Sequence, residues 1–574
     1  MFARRADGHR TILGLSRSAH YPTTRRWAVV CAILCALLPH HVAAAPPVPS
    51  MLRGRSLGGA GQVSGSMHLI ETGNGCWMID CGAHYAEESP GSENHEPAAP
   101  AGNAFPVAPE RISGLILTHA HGDHIGRLPE AVAAGYRGPI FLTPVTAMLC
   151  EPALRSQVRS DLAASRVWVW SKIGREAAEH GRKALPLHWQ DCEIVRKIAA
   201  EDRAECETSG TALRERWSQE HPRLRTAPCD QCVRIAIERM TRLFQPLDYG
   251  ECKTLTEGVT LQFLDAGHVP GSASALFSVK LPDGQRRVIF SGDLGHEGHA
   301  LFGGPAPAPN VDAVFVEATY GATRREGRVV EERALFRKAV AAAAARRGVV
   351  WIPAFALDRT QKVLYELRLA QRDGLLPPSL PIYCPSPTAK EFTQLYRQNQ
   401  QRGWFAQSVA EDRDAFAPKE LHGTVPAARA LPRPCIVVST SDITRTEWMR
   451  RLLSELLPER STTMLLVSYH DPSSAAGQLK AGATTLVVDE TKVAVRAKVE
   501  SFACFSGHGD ANDIDAWMAN IDRRATVVLV HGGAADLAAR AADLREQRWG
   551  RVMIAAPNVP IDLCPPPDAL RPRR

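Results

Sequence analysis

Short runs of β-branched, aliphatic and aromatic residues recur along the chain, each closed by small or polar residues. Examples are "CWMID" (76–80), "SGLILT" (113–118), "VTLQFLD" (259–265), "RVIFSGD" (287–293), "DAVFVEAT" (312–319), "VVWIPAFA" (349–356), "CIVVST" (435–440), "TMLLVSY" (463–469) and "ATVVLVHGG" (525–533). Runs of this length and composition predict strands. Helical patterns intervene, as at 331–346 "EERALFRKAVAAAAAR" and 360–372 "TQKVLYELRLAQR". Strands alternating with helices predict an α/β protein. Residues 151–245 break the rhythm: they are polar, charged and helical in pattern, with little strand signal. Residues 373–381 and 400–434 predict loops, and 556–574, with six prolines, an irregular tail.

Charge changes the picture only at the N-terminus. The formal net charge is +7, but residues 1–50 hold six arginines and one aspartate, which is +5 and leaves +2 for the rest. The body is therefore nearly neutral, and any polyanion must be held by a local patch or a metal. Residues 1–50 also have the parts of an export signal: "TTRRW", the apolar "AVVCAILCALL", and the small-residue "HVAAAPP". That apolar core is too short for a stable membrane anchor. Met51 opens "MLRGRSLGGAGQVSGSMHLI", which reads as the first turn and strands of a domain. Of the 14 cysteines, Cys76, Cys81, Cys252, Cys384, Cys435 and Cys504 sit singly in apolar runs and are expected to be reduced and core-filling. Cys192, Cys206, Cys229 and Cys232 share one polar segment, where a structural zinc or free thiols are both open.

The chemistry lies at the ends of the strands. "CWMID" ends at Asp80; "SGLILT" runs into His119, His121, Asp123 and His124; "LQFLDAG" into His268; "VIFSG" into Asp293; "AVFVE" ends at Glu317; "FSG" precedes His508; "TVVLV" runs into His531. In α/β sheets the carboxyl ends of strands are where loops build sites. One such residue alone is usually a turn former or a satisfied polar group, but seven ends together are not explained that way. Histidine and carboxylate sets suit zinc or a neighbouring transition ion. The short motif 119–124 cannot close two sites by itself; His268 can complete one, His531 the other, and Asp293 has the reach to bridge.

These motifs resemble the metallo-β-lactamase fold, of which H-x-H-x-D-H is the most specific mark, followed here by "GHVPGSA" (267–273) and "FSGDLG" (290–295). "VEATYG", "IPAFALDRTQ", "SGHGD" and "LVHGG" resemble its β-CASP branch, which includes RNase J and the nuclease subunit of the pre-mRNA 3′-end cleavage factor. The resemblance covers roughly 51–150 and 245–550. It implies an αββα sandwich beginning over 51–320 (with the helical insert 151–245), a β-CASP cap inserted at 321–490, and a return to the sandwich at 491–555, between a leader-like 1–50 and the tail 556–574. It implies two zinc ions per chain: His119, His121 and His268 on one, Asp123, His124 and His531 on the other, Asp293 bridging, and Asp80 orienting a ligand histidine. Glu317 and His508 become a carboxylate holding an imidazole beside the metals.

The implied function is a ribonuclease, endo- or exo-acting, in which a hydroxide held by two zinc ions attacks a phosphodiester and His508 protonates the leaving 3′ oxygen. RNA would lie between sandwich and cap, with Arg359 a candidate for its phosphates; a homodimer is compatible with such an enzyme. RNA turnover places it in the cytoplasm, or outside it if the leader is used. Two alternatives stand beside this: a hydrolase of a small ester, thioester or lactone, and a non-catalytic RNA-processing scaffold. The first would lack the inserted domain; the second would have lost metal ligands, and all seven are present. The sequence departs from the branch at Gly533 ("HGG" for "HGE"), at 437–448 "VVSTSDITRTEW" and at 468–479 "SYHDPSSAAGQL", stretches that line the cleft in relatives.

Overall fold

A computed structural model describes residues 51–84, 105–163, 237–325, 328–444, 446–470 and 472–563. The leader-like segment, most of the insert and its four cysteines lie outside them. Three large sheets organise the chain. The first runs, edge to edge, Pro560–Asp562, Leu52–Gly58, Met67–Thr72, Gly75–Ile79, Gly114–Ile116, Ile140–Leu142 and Phe244–Pro246. The second runs Arg551–Ile554, Thr526–Val530, Ala313–Glu317, Gly284–Phe290, Ala273–Leu281, Val259–Asp265 and Cys252–Thr256.

Alternation along the strands fixes how these two sheets stack. Ile70, Trp77 and Ile79 of the first pack with Phe263, Phe277, Phe290 and Val528 of the second in one shared core. Their sequence neighbours point the other way, as side chains on a strand must. Leu69 and Met78 pack under the helices Leu128–Ala133 and Pro144–Ala163. Val527 and Leu529 pack under Ala511–Trp517 and Ala534–Glu546. The result is the αββα sandwich. A strand from the expected irregular tail, Pro560–Asp562, pairs with Leu52–Gly58 and closes the first sheet.

The third sheet is the cap: Leu421–His422, Ile382–Tyr383, Cys435–Thr440, Val349–Ala354, Thr463–Leu466 and Lys498–Ser501, all parallel. Its central strands are apolar runs because both faces are covered, one packing with Phe336, Val363 and Leu367, the other with Met449, Leu453 and Leu456. Lys498–Ser501 lies past position 490, where the sequence puts the return to the sandwich, yet it pairs with Thr463–Leu466 of the cap. Cap residues Tyr365, Phe392 and Tyr396 share a core with sandwich residues Leu115, Leu149 and Leu301, so the two parts are packed together. Cys252 is exposed on an edge strand rather than core-filling; the other five single thiols are free and buried or half-buried. Among the described residues no helix is long and apolar enough to cross a membrane.

Candidate metal centre

Parallel and antiparallel pairing brings six of the seven sequence-marked ends to one edge of the sandwich. Asp80 follows Gly75–Ile79, His119 follows Gly114–Ile116, His268 follows Val259–Asp265, Asp293 follows Gly284–Phe290, Glu317 ends its strand and His531 follows Thr526–Val530. His508 differs. It stands on a loop seven residues beyond the cap-edge strand Lys498–Ser501, anchored where Gly509 N–H donates to Leu294 O at 2.7 Å.

Asp293 divides the cluster. Its Oδ2 lies 3.6 Å from His119 Nε2 and 3.7 Å from His268 Nε2. His121 Nδ1 completes this group, 3.0 Å from His119 Nε2 and 3.2 Å from His268 Nε2. The other oxygen, Oδ1, lies 3.2 Å from His124 Nε2 and 3.6 Å from His531 Nε2. Asp123 Oδ2 completes that group, 3.5 Å from His531 Nε2 and 4.0 Å from His124 Nε2. Within each group the four candidate ligand atoms lie within 4.8 Å of one another. Two ligands about 2.0–2.1 Å from one tetrahedral ion stand roughly 3.3–3.4 Å apart, so these spacings suit a cation at the centre of each group.

The donor chemistry fits as well. His124 Nε2, His531 Nε2 and Asp293 Oδ1 are buried and lack hydrogen-bond partners, although they face one another. Buried polar atoms left so are costly unless something binds them. Burial pushes the His119 and His268 imidazoles well below their usual range, and His121 down to about 4, which favours the neutral, ligating form. Burial opposes a charge on His124 and His531 too, but the carboxylates outweigh it and hold both imidazoles above the usual value: Asp293, Asp80 and Asp123 for His124, Asp293 and Asp123 for His531. Asp293 in turn is held well below the carboxylate range, against its burial, by His124, His531 and His508.

A ring of outer partners fixes the ligands. Asp80 Oδ2 accepts from His124 Nδ1 at 2.7 Å, and the same carboxylate accepts Thr118 N–H at 2.8 Å and Thr118 Oγ1–H at 2.9 Å. Asp80 and His531 hold positive φ, 61° and 48°, a strain commonly stored at functional sites. Gly82 is required by close approach: a Cβ there would sit 1.6 Å from Asp123 O. On the far side, His508 Nδ1 lies 3.0 Å from both oxygens of Glu317, while its Nε2 points inward, 3.8 Å from Asp293 Oδ2. Glu317 is fully buried and also accepts Leu294 N–H at 2.6 Å and Thr319 Oγ1–H at 2.5 Å.

Sequence reasoning missed the two threonines. Thr118 joins Asp80, His119 and His124; Thr319 joins Glu317, His508 and His531, its Oγ1 3.0 Å from His531 Nδ1. The only signal was a hydroxyl directly before His119 and another two residues after Glu317. Arg359 stands apart from the metal ligands: it is half-buried at the start of the helix Arg359–Arg372 and bonds the Val467 carbonyl oxygen.

A sandwich of this topology with a histidine–aspartate cluster at its strand ends defines a metal-dependent hydrolase. Three family models match in series: the metallo-β-lactamase superfamily at 60–136, the Beta-Casp domain at 360–479, and a Zn-dependent metallo-hydrolase RNA specificity domain at 492–555. The chain thus carries the metallo-β-lactamase, Beta-Casp and RNA specificity domains that together mark β-CASP nucleases. It is 28% identical over 492 residues to a ribonuclease of Thermus thermophilus, covering 83% of this chain and 92% of that one. It is 25% identical to transcription termination factor FttA of Methanosarcina mazei, over 84% of this chain and 67% of that one. It is likewise 25% identical to cleavage and polyadenylation specificity factor subunit 3-II of Arabidopsis thaliana, over 83% and 66%.

Proposed function

We propose that the protein is a ribonuclease that holds two zinc ions and hydrolyses RNA phosphodiester bonds, leaving a 5′ phosphate. The observation that carries this is the division of Asp293: one oxygen faces His119 and His268, the other His124 and His531. One carboxylate shared by two ligand sets is what a dinuclear centre needs. The names of relatives and of the RNA specificity model support RNA as substrate.

Zinc at such a centre supplies Lewis acidity, making a water-derived nucleophile available near neutral pH and offsetting charge on a phosphoryl oxygen. The chain supplies the rest. Asp80 fixes the ring of His124 through its second nitrogen, which also raises the basicity of the ligating one. Glu317 accepts from His508 Nδ1–H, so when the ring is protonated the second proton, on Nε2, is the one directed toward the site. His508 is thus the general acid for the leaving 3′ oxygen. The phosphate backbone would enter between cap and sandwich, where Arg359 offers a cation. RNA turnover places the enzyme in the cytoplasm; sequencing the mature N-terminus tests this, and a terminus near Ala45 overturns it.

The experiment is one assay with end-labelled RNA, DNA and a generic ester, with and without chelation. Zinc-dependent cleavage of RNA, product ends carrying 5′ phosphate and metal analysis near two zinc ions per chain are expected. Ester turnover without RNA cleavage, or full activity with a single ion, refutes the reading.

A further inference from the structure

Two stretches that the metal chemistry does not use meet at the rim of the cap. "FALDR" follows the strand Val349–Ala354 and "VSYH" follows Thr463–Leu466. These strands are parallel neighbours, Trp351 opposite Met464, so both leave the cap sheet at the same carboxyl edge. That edge is where open α/β sheets seat ligands.

Arg359 ties the stretches together. Its guanidinium bonds the Val467 carbonyl oxygen and lies 6.0 Å from the centroid of the Phe355 ring. Among the described residues it forms no ion pair. The neighbouring Asp358 is turned to Lys362, at 2.5 Å, and to the Tyr396 hydroxyl, at 3.2 Å. Just past Val467, Ser468 and His470 are each only 8% exposed, and neither Ser468 Oγ nor His470 Nε2 has a hydrogen-bond partner. Arg359 is thus held at the carbonyl one residue before Ser468 and three before His470. A guanidinium without an ion pair, held next to a stretch with two unsatisfied buried polar atoms, suits a partner that is anionic and rich in acceptors. Around them stand two exposed rings, Phe355 at 44% and Tyr469 at 72%. Toward the metal centre, the ring centroid of Tyr320 is 6.4 Å from that of His508.

We propose that Arg359, Ser468 and His470 form a phosphate subsite, and Phe355 and Tyr469 a stacking platform beside it, which together seat one nucleotide of single-stranded RNA away from the scissile bond. The proposal rests on the ribonuclease reading. A phosphodiester is an anion, which suits a guanidinium that forms no ion pair among the described residues. Its oxygens accept from the guanidinium, from the serine hydroxyl and from His470 Nε2 in the tautomer that carries its proton there. An unpaired base offers a face to each ring, and such stacking tolerates any base. A duplex cannot offer that face, so the subsite selects unpaired RNA. It also gives the divergent "SYHDPSSAAGQL" stretch a use, because Ser468, Tyr469 and His470 all come from it.

The test uses the zinc-loaded full chain and single-stranded RNA carrying 2-aminopurine at successive positions, followed by stopped-flow fluorescence before turnover. In the wild type one position beyond the scissile bond should quench strongly. Tyr469→Ala should abolish that quench and raise KM about tenfold, with a smaller effect on kcat, and Tyr469→Phe should restore both. Arg359→Ala should raise KM tenfold or more and weaken inhibition by inorganic phosphate; Arg359→Lys should recover part of each. An abasic residue at the quenched position should weaken wild-type binding by about the factor that Tyr469→Ala does, and add nothing in that variant. Folded variants with normal zinc content, an unchanged quench and KM within twofold of wild type overturn the subsite while leaving the ribonuclease reading in place. A wild type that neither binds nor cleaves RNA overturns both.

Discussion

Removing the His508 imidazole separates proton transfer from metal binding. The ring lies outside both four-residue ligand groups, yet its Nε2 is 3.8 Å from Asp293 Oδ2 and its Nδ1 is held at 3.0 Å by Glu317. His508→Ala should therefore keep both zinc ions. A positioned general acid contributes about 10²–10⁴ in rate, which is roughly 3–5 kcal/mol of barrier. Glu317 then loses one partner but keeps the Leu294 amide and the Thr319 hydroxyl, so the cost in stability stays small. Glu317→Gln behaves differently. One carboxylate oxygen accepts from Leu294 N–H and the other from Thr319. Whichever way the amide is placed, its NH₂ meets a donor, so this variant should lose about 1–3 kcal/mol of stability as well as activity. The assay is single-turnover cleavage of labelled RNA with zinc content and urea midpoint measured in parallel. A substrate with a better leaving group at the scissile 3′ oxygen should recover much of the His508→Ala loss, because it needs less protonation. An intact dizinc His508→Ala protein that cleaves the ordinary substrate at the wild-type rate removes His508 from the mechanism.

Three further outcomes are expected. Asp293→Asn should bring zinc content down from two ions to one or none, because a neutral amide cannot bridge two cations; retention of two tightly bound ions by metal analysis would contradict the bridging role. In chelated protein, His68 and His296 are each pulled from the usual 6.5 to about 3, chiefly by burial. The unfolded chain therefore binds more protons between those values, and stability present above about pH 6.5 should fall steadily toward pH 3. His296→Gln should flatten that slope in urea titrations, and a midpoint that is constant from pH 6.5 to 4 counts against it. Gly82→Ala forces a methyl against Asp123 O, where a Cβ would sit at 1.6 Å. It should cost at least about 1–3 kcal/mol and displace Asp123 from the site, read as a lower melting temperature with lost zinc; wild-type melting and zinc content would show that the backbone there moves freely.

Much of this was legible in the chain. Strand runs are read from local composition, and the seven ends bearing His, Asp or Glu stand out because apolar runs seldom end that way so often. The His508–Glu317 partnership was expected and the two are 3.0 Å apart. The threonines were not legible: Thr118 and Thr319 matter through hydroxyl directions, and hydroxyls beside strands are common everywhere. The position of the return from cap to sandwich was also obscure. "KVES" reads as a strand in any sheet; only the open edge of Thr463–Leu466 assigns it to the cap.

The sequence by itself determined the periodicities, and with them an α/β protein, and the donor types and their order; sandwich and insert followed from the family resemblance of its motifs. Donor type is a property of each residue, and strand pattern a property of a few neighbours, so neither needs a partner far away. The tertiary structure decided everything that depends on pairing across long separations. Registers such as Ile289 with Val314, and Val314 with Val527, carry Asp293, Glu317 and His531 to one edge. Only that convergence gives Asp293 two different neighbours for its two oxygens. It likewise sets Arg359 beside Val467, more than a hundred residues away, through strands whose own composition names no partner.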